Sequence, residues 1–321
     1  MTNKGKYYES QFEEATIKLL REAHWQYAFG DDIHRKYTDP LIEEDLRNFL
    51  AVQYKDKNLT TSEMDSIVAN LRNTGGQNDY YALRNTFLLY RDGYDFAYSD
   101  GRSNPFRLEY IDFEHPDHNI FRCVNQFVME QGRENRRPDI LLFINGIPVC
   151  IIELKNPTKQ NATIRDAHTQ ICTRYMRDIP ALLKYCALAV ISDGAKNALG
   201  ATYTPFEFFY EWKKIENEDK AGKGLDTLRT LIRGALSPER ILEILRDYVY
   251  FPDPTKEDDT TEIVCRYPQF FATRKLRDHI LNHLRSVGGD GKGGTYFGAT
   301  GCGKTYTMLF LARQLALRCR K

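Results

Sequence analysis

Two neighbouring apolar runs, Ile140–Ile144 and Ile147–Leu154, leave this chain little freedom in how its middle folds. Both are rich in β-branched residues, and the Asn145-Gly146 pair between them is a strong hairpin signal. Polar chemistry flanks the hairpin: Pro138-Asp139 precedes the first run, and Glu153-Leu154-Lys155 closes the second. Alternation along a strand puts Glu153 and Lys155 on one face, where burial of charge is costly without a partner. Asp139 joins that face on one condition, unless it lies beyond the strand end and so escapes the alternation. A plain two-residue turn pairs Ile144 with Ile147, and hence Asp139 with Ile152, which leaves Glu153 on the wrong side. The pattern therefore predicts an odd loop or a bulge within the hairpin, with a G1 bulge at a left-handed Gly146 as the available device.

Helices and further strands surround this segment. Ser10 and Glu13 have capping-box spacing, and Phe12, Ala15, Leu19 and Ala23 follow at helical intervals, predicting a helix over about 10–23. Residues 39–72 read as helical, with Asp39-Pro40 as N-cap and N1 of the first segment and Thr61 or Ser62 opening the second. Residues 85–89, 106–113 and 121–128 read as strands. A helix over about 163–176, a buried strand over 185–191 and helices over 225–234 and 238–249 complete an α/β alternation. The acidic, proline-bearing stretch 252–262 is the linker candidate, which separates 1–251 from 263–321.

A net charge of +1 supplies no global field for nucleic acid, so any DNA contact must come from local groups such as Arg133, Arg136 and Arg137. Seven scattered cysteines without a CxxC pair read as reduced, intracellular and without structural zinc. No signal-peptide core and no apolar stretch of membrane-spanning length is present, which predicts a cytoplasmic protein. His279 and His283 are spaced for a helix face but lack the glutamate of a zinc-protease motif, and His115 and His118 receive no role.

Two motifs carry chemistry. Asp139, Glu153 and Lys155 fit the PD…(D/E)xK pattern of a nuclease superfamily. The two carboxylates and the Leu154 carbonyl suit Mg2+, and Lys155 suits orientation or deprotonation of an attacking water. Near the other end, Gly298, Thr300, Gly301, Cys302, Gly303, Lys304 and Thr305 belong to a GxxxxGK[ST] phosphate loop. Residues 295–297 are expected as its strand and 306–316 as its helix. Lys304 would reach the β/γ-phosphates of ATP, and Thr305 would hold Mg2+. Sixteen residues follow Thr305, so the acidic motif of such motors is absent and the motor reads as truncated.

The run from Arg137 to Pro157, continuing through 161–167, Ser192-Asp193-Gly194 and Phe209 to Trp212, resembles the R subunit of type I restriction endonucleases over nearly the whole chain. The resemblance implies an α/β fold with a PD-(D/E)xK core, a mixed sheet flanked by helices, followed by the start of a RecA-like lobe. It implies an endonuclease acting on double-stranded DNA, coupled to ATP-driven translocation, with methyltransferase and specificity subunits as partners. It also suggests Gln170 and Tyr175 as site residues, although their spacing of five in place of the family's four points to an inserted residue. Glu14 is the candidate for a first-helix glutamate, and Gln269 resembles the adenine-contacting glutamine of superfamily 2 motors. Two other readings fit the residues: an idle nuclease fold that only positions DNA or partners, and a stand-alone P-loop ATPase with a regulatory N-terminal domain.

Overall fold

The structure, a computed structural model, describes residues 4–155, 163–216, 222–252 and 260–318. Helix α1 (Lys4–Glu22) leads into β1 (Gln26–Phe29), followed by α2 (Glu43–Gln53), α3 (Thr61–Asn73) and α4 (Asp79–Asp92). The expected strand at 85–89 lies inside α4. Tyr80, Leu83, Phe87 and Tyr90 are buried at helical spacing there, and Asn78 caps the helix by accepting from the Tyr81 amide. α1 begins at Lys4, so Ser10 is interior to the helix and the expected capping box does not form. α2 begins at Glu43, not at Pro40; Asp39 instead accepts from the Leu41 amide. Thr60, one residue earlier than expected, caps α3 in a capping box with Glu63.

Strands β2 (Tyr94–Phe96) and β3 (Phe106–Leu108) pair with each other, as do β5 (Met129–Gln131) and β6 (Glu134–Arg136), with β4 (Phe121–Asn125) between these ribbons in sequence. β4 stops where Gln126 takes a left-handed conformation, short of the expected end at 128. β7 (Ile140–Ile144), β8 (Ile147–Leu154), β9 (Leu188–Ser192) and β10 (Asn197–Ala201) complete a six-stranded mixed sheet in the order β1-β4-β7-β8-β9-β10. β1–β4 and β8–β9 are parallel and the other pairs antiparallel. The edge strands β1 and β10 were not expected: QYAF and NALGA lack the apolar β-branched runs that mark the interior strands.

Each face of the sheet is covered, which explains why β7 and β8 are buried at every position. Ile140, Leu142, Ile144 and Ile152 belong to the large core shared with α1 to α4. Leu141, Phe143 and Ile151 face the smaller core under α5 (Ile164–Thr169), a π-helical turn at Gln170–Tyr175, α6 (Met176–Asp178) and α7 (Pro180–Leu183). α8 (Leu225–Leu231) and α9 (Pro238–Asp247) return to the large core.

Of the expected linker 252–262, residues 253–259 lie outside the described residues. On either side, β11 (Val249–Tyr250) pairs with β12 (Ile263–Val264). Phe270 of α10 (Tyr267–His283) and Phe310 of α11 (Lys304–Arg318) pack on Tyr248, with ring centroids 4.9 and 5.3 Å away. Among the described residues no helix is long and apolar enough to cross a membrane.

Candidate functional site

The hairpin resolves the parity problem by a different device from a G1 bulge. Ile144 pairs with Ile147 across a two-residue turn in which Asn145 (φ 50°) and Gly146 (φ 76°) are both left-handed, the geometry of a type I′ turn. The register then shifts between Leu142 and Phe143: Phe143 faces Pro148, but Leu142 faces Cys150. Val149 is the extra residue, beside a proline that has no amide to give to the ladder. Val149 and Cys150 consequently both join the large core, and Ile140 pairs with Ile152. Asp139 stands just before the first residue of β7, and this register carried one residue further sets it opposite Glu153, on the face of Leu141 and Ile151.

The expected residues gather on that face. Asp139 Oδ2 accepts from the Leu154 amide at 2.7 Å. Glu153 is 1% exposed; its Oε1 accepts from Lys155 Nζ at 2.8 Å, while its Oε2 is buried with no hydrogen-bond partner. Burial first, and the neighbouring Asp139 charge second, push the Glu153 carboxyl up to about 8, against the opposing pull of Lys155. Lys155 also donates to Gln170 Oε1 at 2.7 Å, and Gln170 Nε2 donates to the Tyr175 hydroxyl at 2.7 Å. The inserted residue does not separate this pair, because residues 170–175 form a π-turn whose wider period places i and i+5 on one stripe. Burial raises the Tyr175 phenol well above its ordinary range.

Glu14, the candidate first-helix acid, lies apart from this cluster. Glu14 is exposed, and no hydrogen bond or ion pair ties it to this cluster among the described residues. One residue earlier, Glu13 accepts from Asn125 Nδ2 at 2.6 Å and from Gln126 Nε2 at 3.1 Å. Gln126 in turn donates its amide to the Asp139 carbonyl and accepts from Arg137. The sequence signal for Glu13 was absorbed by its apparent capping role, which vanishes once the helix extends to Lys4. Of the three arginines expected at DNA, Arg136 is held by Asp178 and Glu134, and Arg133 and Arg137 stay exposed.

An orphaned carboxylate oxygen inside a ring of polar groups fits a cation. Asp139, Glu153 and the Leu154 carbonyl offer only oxygen donors, the set preferred by Mg2+. Lys155 beside them can hold a water or a developing negative charge.

The residues of the GxxxxGK[ST] pattern form a second group. Gly301 (φ 77°) and Gly303 (φ 80°) are left-handed, and α11 starts at Lys304. Lys304 Nζ donates to the Gly298 and Ala299 carbonyls at 2.9 and 3.0 Å. Gln269 is buried against the loop and donates to the Gly303 carbonyl at 3.1 Å, so close that a Cβ on Gly303 would stand 2.3 Å from its amide nitrogen. Gln269 and Gly303 share a cavity of about 210 Å³ with Tyr210, Arg266 and Tyr306. Thr300 and Thr305 lie exposed on the loop and Cys302 is half-buried. The expected strand at 295–297 is absent. Phe297 is 90% exposed, and the segment has no β partner among the described residues to satisfy its backbone.

Comparison with known proteins adds relatives. The family described as type I restriction enzyme R protein N terminus matches residues 6–208. The type I restriction enzyme HindI endonuclease subunit of Haemophilus influenzae is 30% identical over 96% of this chain and 30% of its own length. The putative MjaIXP endonuclease subunit of Methanocaldococcus jannaschii is 28% identical over 94% of this chain and 31% of its own. The EcoprrI endonuclease subunit of Escherichia coli is 28% identical over 60% and 59%. The chain thus spans about three tenths of the length of the first two relatives.

Proposed function

Since the chain belongs to the type I restriction enzyme R protein N-terminal family, we propose that it is the DNA-cutting part of a restriction subunit, with a PD-(D/E)xK centre at Asp139, Glu153 and Lys155. The observation that carries this reading is the Val149 bulge, which brings the two acids to one face beside a lysine and leaves Glu153 Oε2 buried and unpartnered. Mg2+ would be held by Asp139, Glu153 and the Leu154 carbonyl, and when bound it supplies Lewis-acid activation of the phosphodiester. Lys155 orients the attacking water and meets the charge that develops on the phosphate, while Gln170 and Tyr175 hold the lysine in place. Water oxygen bonds to phosphorus and gives up a proton to solvent, the P–O bond to the leaving sugar oxygen breaks, and that oxygen takes up a proton from solvent.

Residues 263–321 belong, on this proposal, to the start of a RecA-like lobe that binds ATP through 298–305 and Gln269 and drives translocation in the full-length subunit. Methyltransferase and specificity subunits would supply target choice, and the complex would work on cytoplasmic double-stranded DNA. The test is plasmid cleavage by the full-length subunit with its partners, in Mg2+, with and without ATP. Cutting that requires both supports the proposal, and a plasmid left intact under every condition refutes it.

A further inference from the structure

A different group of side chains lies in the loop before β4. Asp112, His115 and His118 bring one carboxylate oxygen and two imidazole nitrogens within 4.8 Å of one another. Both Nδ1 atoms point at the same oxygen, Asp112 Oδ2, at 2.9 Å from His118 and 3.4 Å from His115, and the two rings stack with centroids 4.8 Å apart. Gln53 of α2 donates to that oxygen as well, at 3.2 Å. The other oxygen, Oδ1, already accepts from the amides of Glu114 and His115. Five polar groups therefore converge on one carboxylate, three of them on a single oxygen, where about two lone-pair sites are available. Asp112 is also buried, and among the described residues no lysine or arginine pairs with it. A buried carboxylate calls for a cation.

We propose that Asp112, His115 and His118 form a binding site for a divalent cation of the zinc class, separate from the Asp139–Glu153 centre. A tetrahedral ion at about 2.0–2.1 Å from nitrogen and oxygen ligands spaces those ligands roughly 3.4 Å apart. The two Asp112–histidine separations lie within about 0.5 Å of that value. Two imidazoles and one carboxylate favour Zn2+, Co2+ or Ni2+ over Mg2+, which prefers the all-oxygen donors of the other site. The ion takes the place of the two ring-nitrogen contacts now made to Oδ2, so it relieves the crowding, and water completes its coordination.

The loop is held ready for this. Asn119 accepts from the Asp112 amide and donates to the carbonyls of Asp112 and Pro116. It also accepts from Asn145 of the hairpin turn, and Arg246 of α9 holds the Phe113 carbonyl. Such outer contacts orient ligands before the ion arrives. The cysteine pattern gave no hint of this site because its ligands are histidines and an aspartate.

The test is a Co2+ titration of the full-length protein, read from the visible d–d bands and by equilibrium dialysis with Zn2+, beside the His115→Ala/His118→Ala variant. The wild type is expected to bind one more equivalent than the variant and to keep it in millimolar Mg2+. Asp112→Asn should weaken binding at least tenfold. If the double variant does not fold, His118→Ala alone gives the same reading, because its ring is solvent-exposed. Equal stoichiometry in wild type and variant, or displacement of the extra ion by Mg2+, overturns the proposal.

Discussion

Gln170 donates to the Tyr175 hydroxyl across 2.7 Å although the two are five residues apart, because the helix between them widens into a π-turn. In an unbroken α-helix that spacing turns the two side chains about 140° apart, as 3.6 residues per turn require. The other end of Gln170 holds Lys155. Tyr175→Phe should therefore loosen the lysine without exposing the core. On the proposed nuclease reading, cleavage falls roughly tenfold, in the range of outer-contact losses. The melting temperature changes little. Single-turnover cleavage and calorimetry check this.

The raised Glu153 carboxyl sets a pH dependence. Between the ordinary carboxylate range and about 8 the folded chain holds a proton at Glu153 that the unfolded chain has lost. The stability this proton contributes is full below the ordinary range, declines as pH rises and is gone above about 8. A cation must displace that proton, so Mg2+ affinity should climb roughly tenfold per pH unit up to that point and level off above it. Calorimetric Mg2+ titrations in buffers of different ionisation enthalpy would reveal the released proton. Glu153→Gln should abolish both the release and the slope.

Gly146 holds the turn against α2. A Cβ there would stand 2.1 Å from the Ile42 carbonyl, and the residue is left-handed. Gly146→Ala is expected to destabilise the fold by about 2 kcal/mol or more, the sum of a strained backbone and a displaced helix start. Urea denaturation measures it directly.

Lys304 lies exposed, far along the chain from the hairpin, and among the described residues it bonds only to its own loop. Lys304→Ala in the full-length protein should abolish ATP hydrolysis and translocation while the circular dichroism and melting of the N-terminal part stay unchanged. Translocation at the normal rate would remove the motor assignment.

Much of the site was legible because strand alternation is strict. Once Glu153 and Lys155 closed an apolar strand, one face was determined, and Asp139 could join it through an irregularity or from beyond the strand end. What could not be read was where that irregularity sat. Gly146 was the obvious candidate by its conformational freedom, yet the shift falls at Val149, where Pro148 cannot continue the ladder. Helix α4 was misread because its apolar residues run together at Phe87-Leu88-Leu89, which mimics a strand, while the burial stripe is set by partners distant in sequence. Glu13 and Glu14 differ only by a rotation of 100° about α1, and the sequence does not reveal that the helix starts six residues before Ser10. The parallel edge strand β1 pairs with a segment almost a hundred residues away, a contact that no local pattern encodes.

On the proposed reading, Asp139, Glu153 and Lys155 form a cutting centre separate from the proposed ATP site at 298–305. Its most direct test measures plasmid cleavage and ATP hydrolysis together, in full-length subunits carrying Asp139→Ala or Lys155→Ala and assembled with their partners. Both variants are expected to leave the plasmid uncut, with cleavage down at least a hundredfold, while ATP is hydrolysed at the wild-type rate. Cleavage that persists in either variant, or ATP hydrolysis that falls in step with it, would rule out two separate centres.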